Sequence, residues 1–116
     1  LERCGQEIER VLSAQGGPCD VVLTPLVDAA SNVFDTGIRE RITEAAAYFG
    51  LSAMPILSTA GHDARNIVRL CPGAMIFVPS QNGISHAPEE WTSQEQVTAG
   101  AQVLARVVRE LAGAWT

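Results

Sequence analysis

The sequence holds two histidines, and each lies in a polar loop that also carries glycine. His62 sits in Ser58-Thr59-Ala60-Gly61-His62-Asp63-Ala64, and His86 in Asn82-Gly83-Ile84-Ser85-His86-Ala87-Pro88-Glu89-Glu90. A neutral imidazole is a common ligand for divalent metals, provided its neighbours fix its orientation. His86 has such neighbours. Pro88 stiffens the backbone just after it, and Glu90 could bond the free N–H groups of the helix that follows or orient nearby ligands. Glu89 reads as favourable charge near the start of that helix. Gly61 and Gly83 let backbone approach a substrate with no Cβ in the way, or simply serve as turn residues; both readings stand at this point.

One histidine does not complete a metal centre. A catalytic zinc takes about three protein ligands and a water, and a two-metal site takes more. No His-x-Asp or His-Glu-x-x-His run occurs. A nucleophilic set made of Ser85, His62 and Asp63 fails on context, because Ser85 has no nucleophile elbow and adjacent residues seldom aim at each other as a triad requires. Cys4, Cys19 and Cys71 are odd in number and form no Cys-x-x-Cys pair, so they are expected to be buried small hydrophobes rather than zinc ligands or disulfides.

The elements that must carry these loops can be read from apolar spacing. Leu1, Cys4, Ile8, Val11 and Leu12 predict an amphipathic helix over 1–15, ended by Gly16-Gly17-Pro18. A strand is expected over 21–27, with Pro25 placing it at an edge. The polar stretch from Asp28 to Asp35 is the expected boundary between two structural units. A helix over 36–49 follows, with Ile38, Ile42, Ala45 and Phe49 on one face and Gly50 as its stop. Residues 53–57 are a short strand candidate. Asp63 could cap a third helix that buries Ile67, Val68 and Leu70 and ends at Cys71-Pro72-Gly73.

Met75 to Val78 reads as a strand covered on both faces, and 79–91 as a loop. A last helix over 93–112 is expected, opened by a capping box from Thr92 and Glu95 or from Ser93 and Gln96. Its apolar stripe is Val97, Ala101, Leu104, Val108 and Leu111. Alternating helices and strands after Asp35 favour a layered α/β domain. Two strands make a poor sheet alone, and the chain opens at Leu1 inside helical pattern without a cap, so a piece of a longer protein is expected.

Composition narrows the function. Of 116 residues 47% are hydrophobic and 18% charged, ordinary for a globular protein. A net charge of −5, with eight scattered arginines, argues against nucleic acid as a partner. No apolar run approaches the ~20 residues that span a bilayer, so no membrane partner is expected. Without a leader-like start, a cytoplasmic location is expected.

Met75-Ile76-Phe77-Val78-Pro79-Ser80, followed by Asn82-Gly83-Ile84-Ser85-His86-Ala87-Pro88-Glu89-Glu90-Trp91-Thr92, closely resembles the terminal signature of the zinc-dependent amidohydrolases that include N-carbamoyl-L-amino-acid hydrolase, β-ureidopropionase and allantoate amidohydrolase. Ala60-Gly61-His62-Asp63-Ala64 is a second match upstream, although the family usually has glycine where this chain has Thr59. The resemblance implies an α/β fold: residues 29–116 would be the C-terminal part of a three-layer α/β/α catalytic domain. Residues 1–28 would be the last helix and strand of an α+β lid domain that also forms the homodimer interface.

It further implies two divalent metals, zinc first with manganese, cobalt or nickel possible, and His86 as the family's last metal ligand. Gly61, His62, Asp63, Gly83, Ser85 and Glu90 would bind substrate or organise the loops beside the metals. The implied reaction is hydrolysis of an N-carbamoyl amino acid or ureido acid to an amino acid, ammonia and carbon dioxide. The remaining ligands, the catalytic glutamate and a substrate-binding arginine would lie upstream of Leu1, so the segment alone is expected to be inactive. Two other readings remain: a non-catalytic piece that joins a companion chain to complete a domain, and a free-standing α/β binding module.

Overall fold

A computed structural model describes residues 2–14, 17, 22–24, 26 and 30–113. They fall into two compact units, Leu1–Ser31 and Asn32–Thr116. The first unit contributes α1 (Glu2–Ser13), whose Ile8, Val11 and Leu12 share one apolar face. The exposed pair Glu7 and Arg10 meets at 2.6 Å on its surface, a pairing worth little in water. Most of the glycine-proline stop after α1 and most of the strand expected over 21–27 lie outside the described residues; Val22, Leu23, Thr24 and Leu26 within it carry no strand pairing.

The second unit is built on α2 (Thr36–Tyr48) and α4 (Gln94–Leu111), with a single turn, α3 (Ala64–Ile67), between them in sequence. Asp35 opens α2 by accepting the Ile38 N–H at 2.8 Å, satisfying one of the helix's free donors. Gly50 closes it at a φ of +69°, where a side chain would be strained. Ser93 opens α4 with the expected capping box, its hydroxyl accepting the Gln96 N–H while the Gln96 side chain accepts the Ser93 N–H. Of the two boxes the sequence allowed, this is the one formed.

The core lies where α2 meets α4. Ala45 and Ala46 pack against Val103 and Val107, with Ile38, Ile42, Leu51 and Ile76 partly buried around them. Small alanines let the helices approach closely. At the edge of this contact the Arg106 guanidinium stacks 3.8 Å from the centre of the Tyr48 ring and pairs with Glu110 at 2.9 Å.

Three expectations are corrected here. The stripe assigned to the core face of α4 is the wrong one: Val97, Leu104, Val108 and Leu111 are each about half exposed, and the buried residues are Val103 and Val107. The helix is apolar on two adjacent faces, and only tertiary contact chooses between them. The third helix is one turn long; Asp63 makes no side-chain cap bond, and Ile67 and Leu70 are exposed. Cys4 and Cys71 are exposed free thiols, not buried packing residues, while Cys19 lies outside the described residues.

Neither 53–57 nor 75–78 forms a strand. A strand exists only through a ladder partner, and among the described residues neither segment makes a backbone hydrogen bond. Met54 and Leu57 are largely exposed. The segment 75–78 is nonetheless packed. Ile76 touches the helical core, and Val78 lies so close to Gly100 of α4 that a Cβ built on that glycine would collide with it. The helices therefore hold this segment, and it delivers the chain into the loop that carries His86.

Candidate functional site

The His86 loop is tied at its neck. Leaving Val78, the Pro79 carbonyl accepts the Thr92 hydroxyl at 3.0 Å, and the Gln81 N–H donates to the Trp91 carbonyl at 2.8 Å. Two stretches of backbone ten or more residues apart are thus joined, as in a compact surface loop whose ends meet. Inside the neck a 3-10 turn, Gln81–Gly83, is closed by the Ser80 hydroxyl donating to the Ile84 carbonyl and by the Ile84 N–H donating to Gln81. Asn82 and Gly83 both take left-handed backbone, at φ of 56° and 69°. Asparagine and glycine are the residue types that accept that region most readily.

His86 is left-handed as well, at φ of 57°. For a residue with a Cβ this conformation costs roughly 1–2 kcal/mol and persists only where the surroundings hold it. Two bonds do so. The Glu90 N–H donates to the Ala87 carbonyl at 3.0 Å, closing a four-residue turn with Pro88 at its second position, where proline's fixed φ fits. From the end of that turn the Glu90 carboxylate reaches back and accepts the His86 backbone N–H at 2.8 Å. The His86 side chain is exposed.

The second histidine is held differently. The His62 ring meets the Phe77 ring edge to face, with centroids 5.7 Å apart and planes at 72°. Its loop is closed only by the Ser58 hydroxyl on the Ala60 carbonyl at 3.3 Å and by the start of α3, where Arg65 and Asn66 donate to the His62 and Asp63 carbonyls. Gly61 is exposed and faces the Arg65 guanidinium. The side chains of His62, Asp63 and Ser85 make no hydrogen bond among the described residues, so no nucleophilic set is formed by them.

The structure therefore joins Glu90 to His86 directly and places Gly83 and Ser85 in the same tied loop. It brings the His62 ring beside Phe77, in the segment that enters that loop, and leaves Gly61 and Asp63 as its neighbours in sequence. Sequence reading missed Phe77, Ser80 and Thr92 as positioning residues; hydroxyl residues at both ends of a polar loop were the available sign. Among the described residues no group of three His, Cys, Asp or Glu side chains is arranged to hold a metal. His86 offers one exposed donor. A shallow depression lined by Val33, Asp35, Val68 and Cys71 contains neither histidine.

Comparison with known proteins gives a consistent answer. The profile of peptidase family M20/M25/M40 matches residues 11–110. Across 96% of the chain and 26% of its own length, an N-carbamoyl-L-amino-acid amidohydrolase of Paenarthrobacter aurescens is 39% identical. An allantoate amidohydrolase of Bacillus subtilis is 40% identical over 67% of the chain and 19% of its own length. A ureidoglycolate hydrolase of Arabidopsis thaliana is 36% identical over 66% of the chain and 16% of its own length. The chain spans about a fifth of the length of such relatives. No solved structure matches it significantly. With nearly the whole sequence inside the profile, the chain belongs to peptidase family M20/M25/M40.

Proposed function

We propose that this chain is the C-terminal part of a metal-dependent amidohydrolase acting on a linear ureido amide, an N-carbamoyl amino acid or ureido acid, and that His86 is one of its metal ligands. The observation that carries the reading is His86 itself: an exposed imidazole whose backbone is fixed by Glu90 and by a tied loop, in a chain whose relatives bear amidohydrolase names. A single donor fits one side of a shared centre and no more. Divalent ions there, two zinc by the family resemblance, would polarise the ureido carbonyl and lower the pKa of a water.

This chain's own contribution is positional. The neck bonds and the Glu90 contact hold the imidazole donor in one place. Gly61 and Gly83 leave room for the substrate's backbone-like atoms, and Ser85, His62 and Asp63 are polar groups available to its carboxylate end. Residues 1–28 would close a lid and dimerisation domain, and 29–116 a three-layer α/β/α catalytic domain in which 53–57 and 75–78 gain strand partners. A cytoplasmic homodimer accords with this reading.

One further observation favours a companion polypeptide. Half-exposed apolar residues run the length of α4, and Met54 and Leu57 are more exposed still, an apolar surface of the kind that interfaces cover. Whether joined covalently or as a separate piece, upstream polypeptide would complete the domain.

A chimera tests the function. The matched stretch of the Paenarthrobacter relative is replaced by this chain, and hydrolysis of an N-carbamoyl amino acid is measured. The chimera is expected to be active. His86→Ala should lower activity by more than about 100-fold, because even groups that merely orient a metal ligand are worth roughly 10–100-fold. His62→Ala should cost less than about 10-fold by the same reasoning. An active chimera indifferent to His86→Ala would end the ligand assignment. Expressed as a separate piece beside the rest of the relative, the chain should co-purify with it.

A further inference from the structure

The Glu90 carboxylate stands in an unusual relation to the neighbouring imidazole. It touches the backbone N–H of His86, at 2.8 Å, and not the ring. The residue it touches is one of two non-glycine residues found at positive φ among the described residues. The other, Asn82, is of a type that accepts the left-handed region. Histidine accepts it less readily, and in that conformation its Cβ leaves the backbone in a direction that ordinary extended or helical backbone does not offer. The direction in which the side chain leaves the backbone, from which χ1 and χ2 then aim the imidazole, is therefore set by this φ.

From these observations we infer that Glu90 is a positioning residue, which sets the direction in which the His86 side chain leaves the chain by holding the His86 backbone left-handed through its N–H. The arrangement is built from the sequence outward. Pro88 at the second position of the Ala87–Glu90 turn brings Glu90 back under His86. Spacing then does the rest, since the carboxylate of the turn's last residue reaches the N–H that precedes the turn. Glu89, one residue earlier and exposed, makes no such contact. A hydrogen-bond acceptor is what the position requires. The function of the device rests on the reading of His86 as a metal ligand, whereas its geometry does not.

The chain contains only two histidines, so labelling with 15N-histidine yields two backbone amide signals, one for each loop. In the full chain, Glu90→Ala should speed hydrogen exchange at the His86 amide by about 10-fold and change its φ-dependent HN–Hα coupling, while His62 stays within about 2-fold. Glu90→Gln keeps an acceptor oxygen and should hold both readouts near the parent values. Unchanged His86 exchange in Glu90→Ala would overturn the inference. So would a Glu90→Gln variant whose His86 exchange rises about 10-fold over the parent while His62 is undisturbed, and this comparison with the parent decides the matter if the alanine variant does not fold.

Zinc titration of the chimera supplies the functional half. Glu90→Ala should weaken binding about 10-fold to 100-fold, as loss of an orienting partner does, and Glu90→Gln should restore it. If His86→Ala leaves zinc affinity unaltered, the ligand reading fails, and the amide measurements still decide the clamp.

Discussion

The loop carrying His86 is tied at its neck by bonds from Pro79 and Gln81 to Thr92 and Trp91, and its histidine is fixed by Glu90. The loop carrying His62 rests on a ring contact with Phe77, one weak hydroxyl bond and the first turn of α3, where the His62 and Asp63 carbonyls accept backbone N–H groups. Both flank the same segment, 75–78, yet of the two histidines only His86 has, among the described residues, its N–H held by a side chain and its φ held positive. A donor that must meet a cation at fixed distance needs such a hold, because small misplacements are costly in a metal site. A residue lining a substrate cleft can tolerate a looser hold. That difference is what the proposed ligand role of His86 and lining role of His62 would call for.

Three measurements would break or sharpen this contrast. The largest effect is expected at Gly100, although neither loop contains it. Alanine is normally favoured over glycine inside a helix by about 1 kcal/mol, but here any Cβ meets Val78. Gly100→Val should lower stability by about 2–3 kcal/mol, as overpacking does, in urea unfolding of the full chain. It should also shift the His86 amide more than that of His62, since Val78 leads directly into the tied loop. Equal shifts at both would show that the loops share one tether after all.

Ser80→Ala is next. It removes the hydroxyl bond to the Ile84 carbonyl inside the His86 loop, and about 1 kcal/mol should be lost. The His62 amide should not respond. The smallest effect concerns pH. Glu95 is held below its ordinary value of 4.5, first by its own backbone N–H and then by the Ser93 hydroxyl. A carboxyl with a lowered folded value stabilises above the unfolded value and loses that contribution as pH falls through the lowered one. Acidification below about 4.5 should therefore fray the first turn of α4, next to Thr92, and loosen the His86 loop before the His62 loop. Glu95→Gln should abolish that order, as amide exchange across a pH series would reveal.

Local features were legible in the sequence because their causes are local. Gly50 stops α2 and the Ser93–Gln96 box starts α4, each within a few residues of its effect. What was not legible required partners. The two apolar faces of α4 have similar spacing, and no rule of period distinguishes Val103 and Val107 from Val97, Leu104 and Val108. The segments 53–57 and 75–78 have strand composition, but the described residues supply no ladder for either. At the site, sequence identified His86, Pro88 and Glu90 as a group. It did not reveal that Glu90 acts on the backbone, since a left-handed histidine leaves no mark on residue type.

Asp35 has a reach that its place in the chain conceals. Its carboxylate starts α2 through Ile38, while its own N–H donates to the Gly73 carbonyl at 2.9 Å, just before the 75–78 segment. One residue thereby fastens a helix origin and the approach to the segment flanked by both histidines. Breathing at the beginning of α2 would therefore reach the approach to that segment as well, through an aspartate remote from both histidines in sequence.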